Sequence, residues 1–271
     1  MSHPFDPGYV REPYLTLCAA YPEANVYPAS QFRVEWGPIF HRGRLDGTAR
    51  VLVLGQDPAQ HETVVRRILV GEAGRRVRGL LGKLGITRSY VLLNTYLYSV
   101  HGSVRAQTRR HPALVDYRNR WLNALLVGTR VQVVIALGTA ADDAWKLWAA
   151  TQPRRAAELV YAAVMHPTQP ESSSRNDKSK LPAATARLLQ NWNAALRMLA
   201  PALESPDQPT TWVPYGDTWG VDERPPIPEF DYPAGLPAWM HELDGWARRS
   251  GANALAKRRN LTLTVPKGLV S

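Results

Sequence analysis

Three side chains suited to acid–base and hydrogen-bond chemistry each follow within three residues of the end of a short apolar run. Asp57 stands in Gly55-Gln56-Asp57-Pro58, Asn94 in Asn94-Thr95-Tyr96, and His166 in His166-Pro167-Thr168-Gln169-Pro170. A carboxylate so placed can stabilise a developing cation and hold or deprotonate an attacking water. A histidine can donate a hydrogen bond to an oxygen on which negative charge gathers. A carboxamide offers an acceptor beside a donor, matching a ring N–H next to a carbonyl. Singly, each has an ordinary explanation: Asp57 as a cap or turn residue, Asn94 in an Asx-turn, His166 as a satisfied loop histidine. Their order along the chain gives them more weight together than apart.

The elements that must position them are legible from apolar runs at 51–54, 90–93, 131–137 and 159–165. These are rich in Val and Leu without polar alternation, as expected of parallel strands covered on both faces. Helical stretches at about 74–84, 112–127, 139–150 and 180–199 alternate with them. The pattern predicts a three-layer α/β/α fold around a central, mostly parallel four-stranded sheet. Ligands of open α/β sheets sit beyond the carboxyl ends of the strands. Asp57, Asn94, Gly138-Thr139 and His166 therefore gather on one rim.

The 271 residues suit one large domain with an appendage: an α/β/α domain over 1–203 and a Pro-rich extension over 204–271 packed on it. Seven prolines between 204 and 235 argue for extended chain there. Residues 237–249, with Trp239, Met240 and Trp246, read as an amphipathic helix, and 261–265 as a final edge strand. Cys18 is the only cysteine, which excludes a disulfide framework, a cysteine zinc site and a four-cysteine iron–sulfur cluster. The seven histidines show no ligand spacing, and Gly71-Glu72-Ala73-Gly74 lacks the Lys-Ser/Thr of a phosphate loop. No cofactor and no metal are expected. No apolar run reaches membrane-spanning length, and Met1 to Pro7 lacks a basic-then-apolar leader. A cytoplasmic monomer is expected.

The net charge of +10 is localised. Between Arg66 and Arg120 lie twelve basic and two acidic residues, while the remainder balances at twenty-one of each. Such a run is commonly a solvated face. Lying between two candidate motifs, it points instead to a polyanionic partner, nucleic acid.

Together the motifs resemble the uracil-DNA glycosylase superfamily over roughly residues 30–200. Val51-Leu52-Val53-Leu54-Gly55-Gln56-Asp57-Pro58 is similar to its first motif, and Val91-Leu92-Leu93-Asn94-Thr95 to the strand ending in the base-reading asparagine. Val164-Met165-His166-Pro167-Thr168 is similar to its second catalytic motif, and the strand ending in Gly138-Thr139 to that before a phosphate-contacting turn. The resemblance implies a DNA repair glycosylase that flips uracil from DNA and hydrolyses its N-glycosidic bond. Asp57 and His166 would be catalytic; Gln56, Asn94, Ala59, Leu69 and Val70 would surround the base. Gly138, Thr139, Pro167, Thr168, Gln169 and Arg175 would contact DNA. No lysine in the motifs is placed to form an imine, implying a monofunctional enzyme.

Departures from the family pattern bear on substrate range. Ala59 stands where the best-known branch has a tyrosine that blocks the thymine methyl group, leaving His61 or Tyr96 as substitutes. A stacking phenylalanine belongs near Leu69 or Val70, yet none occurs between Phe40 and Phe230. The loop from Gln169 to Arg175 lacks the wedge leucine, with Arg175 or Gln169 as replacements. A roomier pocket would admit xanthine or hypoxanthine. Two other readings are a glycosylase mainly for deaminated purines and a non-catalytic nucleic-acid-binding protein of the same fold.

Overall fold

Successive residues of a strand face opposite ways, so a strand apolar throughout needs cover on both sides. The computed structural model, which describes residues 9–242 and 245–268, supplies it. The central sheet comprises β1 (His41–Gly43), β2 (Val51–Gly55), β3 (Tyr90–Asn94), β4 (Val133–Leu137) and β5 (Val160–Val164), in the order β1-β3-β2-β4-β5. All pairs are parallel except β1 with β3. Leu52, Leu54, Val91, Leu93, Val134 and Ala136 face one apolar cluster. Val51, Val53, Leu92, Val133, Ile135 and Leu137 face the other.

The helices, in chain order, are α1 (Tyr14–Ala19), α2 (Gln60–Val65), α3 (Glu72–Lys83), α4 (Ala106–Arg109), α5 (Pro112–Leu126), α6 (Thr139–Thr151), α7 (Pro153–Ala157), α8 (Gln169–Ser173), α9 (Leu181–Leu199), α10 (Trp239–Glu242) and α11 (Ala254–Arg259). Helices α5 and α6 bury Trp121 and Trp148 on the first face, and α9 buries Trp192 on the second beside Leu80 and Leu81 of α3. Truncating any of these indoles to alanine is expected to cost about 3–5 kcal/mol. The result is the three-layer α/β/α arrangement. Among the described residues, no helix is long and apolar enough to cross a membrane.

The sheet has five strands rather than four. The extra edge strand reads His41-Arg42-Gly43, which carries no apolar signature. It is buried nonetheless, because Arg42 pairs with Asp231 at 3.1 Å with both side chains fully enclosed. Tyr90 donates to the same carboxylate at 2.6 Å. The partner that makes this strand affordable lies almost 190 residues away, beyond the reach of any local pattern.

Beyond α9 the chain is held by polar clasps. Asp207 accepts backbone N–H bonds from Thr87, Arg88 and Ser89 at 2.6–2.8 Å. The Asn193 amide exchanges two 2.8 Å bonds with the backbone of Tyr215. The helix expected over 237–249 is α10 alone; 243–244, like Met1 to Pro7, lie outside the described residues. Gly245 then turns at φ 73° into β6 (Ala247–Arg249), which pairs antiparallel with β7 (Leu261–Leu263). The expected final edge strand thus belongs to a separate two-stranded hairpin. Trp246 directs this outcome: 4% exposed, it packs edge-on against His61 of α2 and against Trp239.

Candidate active site

The parallel strands β3, β2, β4 and β5 deliver their carboxyl ends side by side, at a spacing of ~4.8 Å per strand. Asn94, Asp57, Gly138 and His166 stand at or just beyond those ends in that order. Register bonds continue past the strands: Gly55 O accepts from Thr95 N and Gln56 O from Tyr96 N, both at 2.9 Å. The Asp57 loop is thereby tied to the Asn94 loop.

Asp57 accepts hydrogen bonds through Oδ2 from Val100 N at 2.7 Å and through Oδ1 from Gln56 Nε2 at 2.9 Å. Burial pushes its carboxyl above the usual range, against those two bonds and the charge of Arg249. Gln56 therefore orients the carboxylate. Asn94 is 5% exposed, and both ends of its amide are buried without a hydrogen-bond partner. Its register partner is glycine, and a Cβ on Gly55 would overlap Asn94 Oδ1 and force the amide to shift. An amide shielded from water and left unpaired is costly, at about 1–3 kcal/mol per group. It is also a pair of contacts held ready for a planar donor–acceptor ligand.

His166 is fixed from both sides. Its Nδ1 accepts from Thr168 N at 3.3 Å and lies 3.1 Å from Thr168 Oγ1, so the neutral ring carries its hydrogen on Nε2. Burial, reinforced by the charge of Arg76, lowers its pKa to about 4. Gly138, at φ 83°, lies alongside; a Cβ there would stand 3.2 Å from His166 Cβ. Thr139 is exposed at the first turn of α6. Pro167 O accepts from Arg76 at 2.6 Å, Gln169 N donates to His166 O at 2.9 Å, and Gln169 Oε1 is buried without a partner. Arg175 is exposed beyond α8.

Of the two candidates for the stacking position, Leu69 touches the site and Val70 does not. A Cβ at Gly55 would meet Leu69 Cδ1 at 3.7 Å, whereas Val70 joins the cluster of Val65, Ile227, Tyr232 and Trp246. Leu69 adopts φ 54°, a left-handed conformation costing a non-glycine residue roughly 1–2 kcal/mol. Ala59 N donates to Glu62 Oε2 at 3.1 Å, and Val70 N to Glu62 Oε1 at 3.2 Å. Buried Glu62 thus clasps the loops carrying Ala59 and Leu69. His61 is engaged by Trp246, and Tyr96 packs edge-on against Phe32 in the opposite layer.

Several contributors were not visible in the sequence. Arg76, 5% exposed, binds Pro167 O, Glu72 and Glu171 and so builds the His166 loop. Part of the basic run is likewise spent internally, since Arg66 donates to the carbonyls of Trp36 and Pro38 and Arg118 is buried. A second basic surface comes from the C-terminal hairpin. The guanidinium of Arg33 lies 5.2 Å from the Trp36 ring centroid and that of Arg249 6.0 Å. Arg33 also donates to Val100 O, the far side of the residue whose N–H holds Asp57. Burial and the nearby Arg249 lower the Arg33 pKa to about 10. Among the described residues no hydrogen bond or ion pair restrains the Arg249 side chain. A signal for this surface exists: residues 245–271 hold six basic residues and no acid.

Comparison with protein families gives a match to the model described as the Uracil DNA glycosylase superfamily over residues 42–196, more than half of the chain. Comparison with curated proteins gives no match.

Proposed function

The chain belongs to the uracil DNA glycosylase superfamily, a family of DNA glycosylases acting in base excision repair, and we propose that it excises uracil from DNA as a monofunctional hydrolase. The observation that carries this reading is the buried, unpaired amide of Asn94 at the end of the strand next to the Asp57 loop, on the rim that also carries His166. Uracil presents N3–H beside O4, which satisfies both ends of such an amide. Cytosine reverses that pattern and leaves buried groups unpaired.

In this reading the flipped nucleotide lies against Leu69 with its base edge on Asn94. As the glycosidic bond lengthens, positive charge grows on the sugar and negative charge on the base. Ionised Asp57, oriented by Gln56 and Val100 N–H, stabilises the sugar cation and holds the attacking water. His166, neutral at physiological pH, donates its Nε2–H to the base oxygen where charge gathers. Thr139 at the start of α6, the loop over Pro167, Thr168, Gln169 and Arg175, and Arg249 on the hairpin hold backbone phosphates. In this reading the hairpin of the extension borders one side of this surface.

The absence of a bulky side chain at Ala59, with His61 and Tyr96 engaged elsewhere, supports a range extended to xanthine or hypoxanthine. These bases also present a ring N–H beside a carbonyl. The test is an oligonucleotide panel bearing uracil, xanthine, hypoxanthine or cytosine, incubated with chelator and developed with alkali. Cleavage at uracil with weaker cleavage at a purine is expected. Cleavage at uracil alone removes the extended range, cleavage only at purines reverses the assignment, and none at all leaves the non-catalytic binding protein.

A further inference from the structure

Beside the rim, on the layer of α4, α5 and α6, lies a cavity of about 280 Å³ that the proposed chemistry does not use. Thr95 and Tyr96, directly after Asn94, form part of its wall, as does Ala140, two residues after Gly138. Four cations line it: Arg109, Arg110, Arg118 and Lys146. Arg118 is the telling one. It is 5% exposed, and its Nε and Nη2 are buried without a hydrogen-bond partner. No carboxylate pairs with it among the described residues. Asp143, the acid in the lining, reaches Arg109 at 3.5 Å, and Lys146 turns to Asp142 at 2.7 Å. Arg110 stands exposed at the margin.

An enclosed guanidinium with two unsatisfied nitrogens is expensive unless an anion completes it. Its planar fork suits two oxygens of a tetrahedral phosphoryl group better than a single halide. The cavity is large enough for such a group, and exposed Arg110 stands among its lining residues.

We propose that this cavity is a phosphate-binding site, with Arg118 as its buried anchor and Arg110 at its mouth. Its ligand is a phosphoryl group, supplied either by the backbone of a DNA strand lying across the rim or by a free phosphate compound. The first source rests on the function proposed above; the second does not.

The test uses the full chain with Arg118→Met and Arg110→Gln, the latter an exposed change that keeps the test usable should the buried variant fail to fold. Thermal unfolding is followed with inorganic pyrophosphate at matched ionic strength, and binding is measured on uracil-free oligonucleotide across a salt series. Stabilisation of the wild type by pyrophosphate, reduced in the variants, is expected. If the variants also lose about tenfold in oligonucleotide affinity, with the salt slope smaller by about one, the DNA backbone is the source. Pyrophosphate stabilisation with unaltered oligonucleotide binding assigns a free phosphate ligand. Equal response of wild type and variants in both measurements overturns the site. Neither readout involves base excision, so a chain inactive on every damaged base would refute the proposed function and leave this test intact.

Discussion

The rim at the ends of β2–β5 and the hairpin β6–β7 both reach Asp57, but they are built differently. On the rim, each functional side chain ends or follows within two residues a five-residue strand locked in register with its neighbours, and small residues at 55 and 138 let side chains from adjacent loops touch. The hairpin is anchored through Trp246 and the cluster around Val65 and Val70, and it presents the Arg249 guanidinium with no hydrogen bond to fix it among the described residues. Rigid strand ends suit groups whose position must hold within fractions of an ångström. A tethered cation suits phosphate, which tolerates variable geometry. Under the proposed function, the difference matches bond breaking and base reading at the rim with holding of the DNA by the hairpin.

The largest effect follows from Asp57→Asn. Turnover should fall roughly 10²- to 10⁴-fold in a steady-state excision assay. The same change should raise the melting temperature at neutral pH. Burial lifts the Asp57 pKa in the folded protein, so the folded state is favoured with the proton on and loses stability as pH rises through that pKa. The asparagine removes that loss. An unchanged or lower melting temperature would mean that the carboxylate is accommodated better than its burial indicates.

Gly55→Ala should come next, with excision reduced by roughly 10²-fold because the new methyl displaces the Asn94 amide. The discriminating readout is the uracil-to-cytosine rate ratio, which should collapse with the rate. A preserved ratio would detach base reading from Asn94. Smaller still, Arg249→Ala should weaken DNA binding by about three- to tenfold and lower the salt slope by about one. An unaltered slope would remove the hairpin from the DNA surface.

The smallest effect concerns pH. With His166 titrating at about 4, kcat/KM should show no His166 transition between pH 5.5 and 7.5, and the acid-side fall should follow Asp57. An acid-limb pKa near 6.5 that His166→Gln abolishes would mean that the ring is charged in the working enzyme. For stability, the depressed histidine pKa contributes fully above about 6.5 and is lost as pH falls towards 4.

How much of this was legible follows the same division. Asp57, Asn94 and His166 could be read because each sits within three residues of the end of a Val- and Leu-rich run, and strand direction alone carries it to the rim. Leu69 could be narrowed only to a pair with Val70, since the left-handed turn separating their side chains leaves no apolar pattern. Strand β1, Glu62, Arg76 and the pairing of Arg33 with Arg249 around Trp36 stayed hidden. Their meaning lies in partners up to some 220 residues away, and a buried arginine looks the same in sequence as a solvated one. The basic run from 66 to 120 illustrates the cost, for Arg76 and Arg118 within it point inward.

The central division is tested most directly by single-turnover excision from a uracil oligonucleotide at saturating enzyme, with Asp57→Asn and Arg249→Ala measured beside the wild type. The account predicts that Asp57→Asn binds DNA normally and cleaves roughly 10²- to 10⁴-fold more slowly, while Arg249→Ala, once saturated, cleaves at close to the wild-type rate. A saturated Arg249→Ala protein as slow as Asp57→Asn would place the hairpin in the chemistry and contradict it.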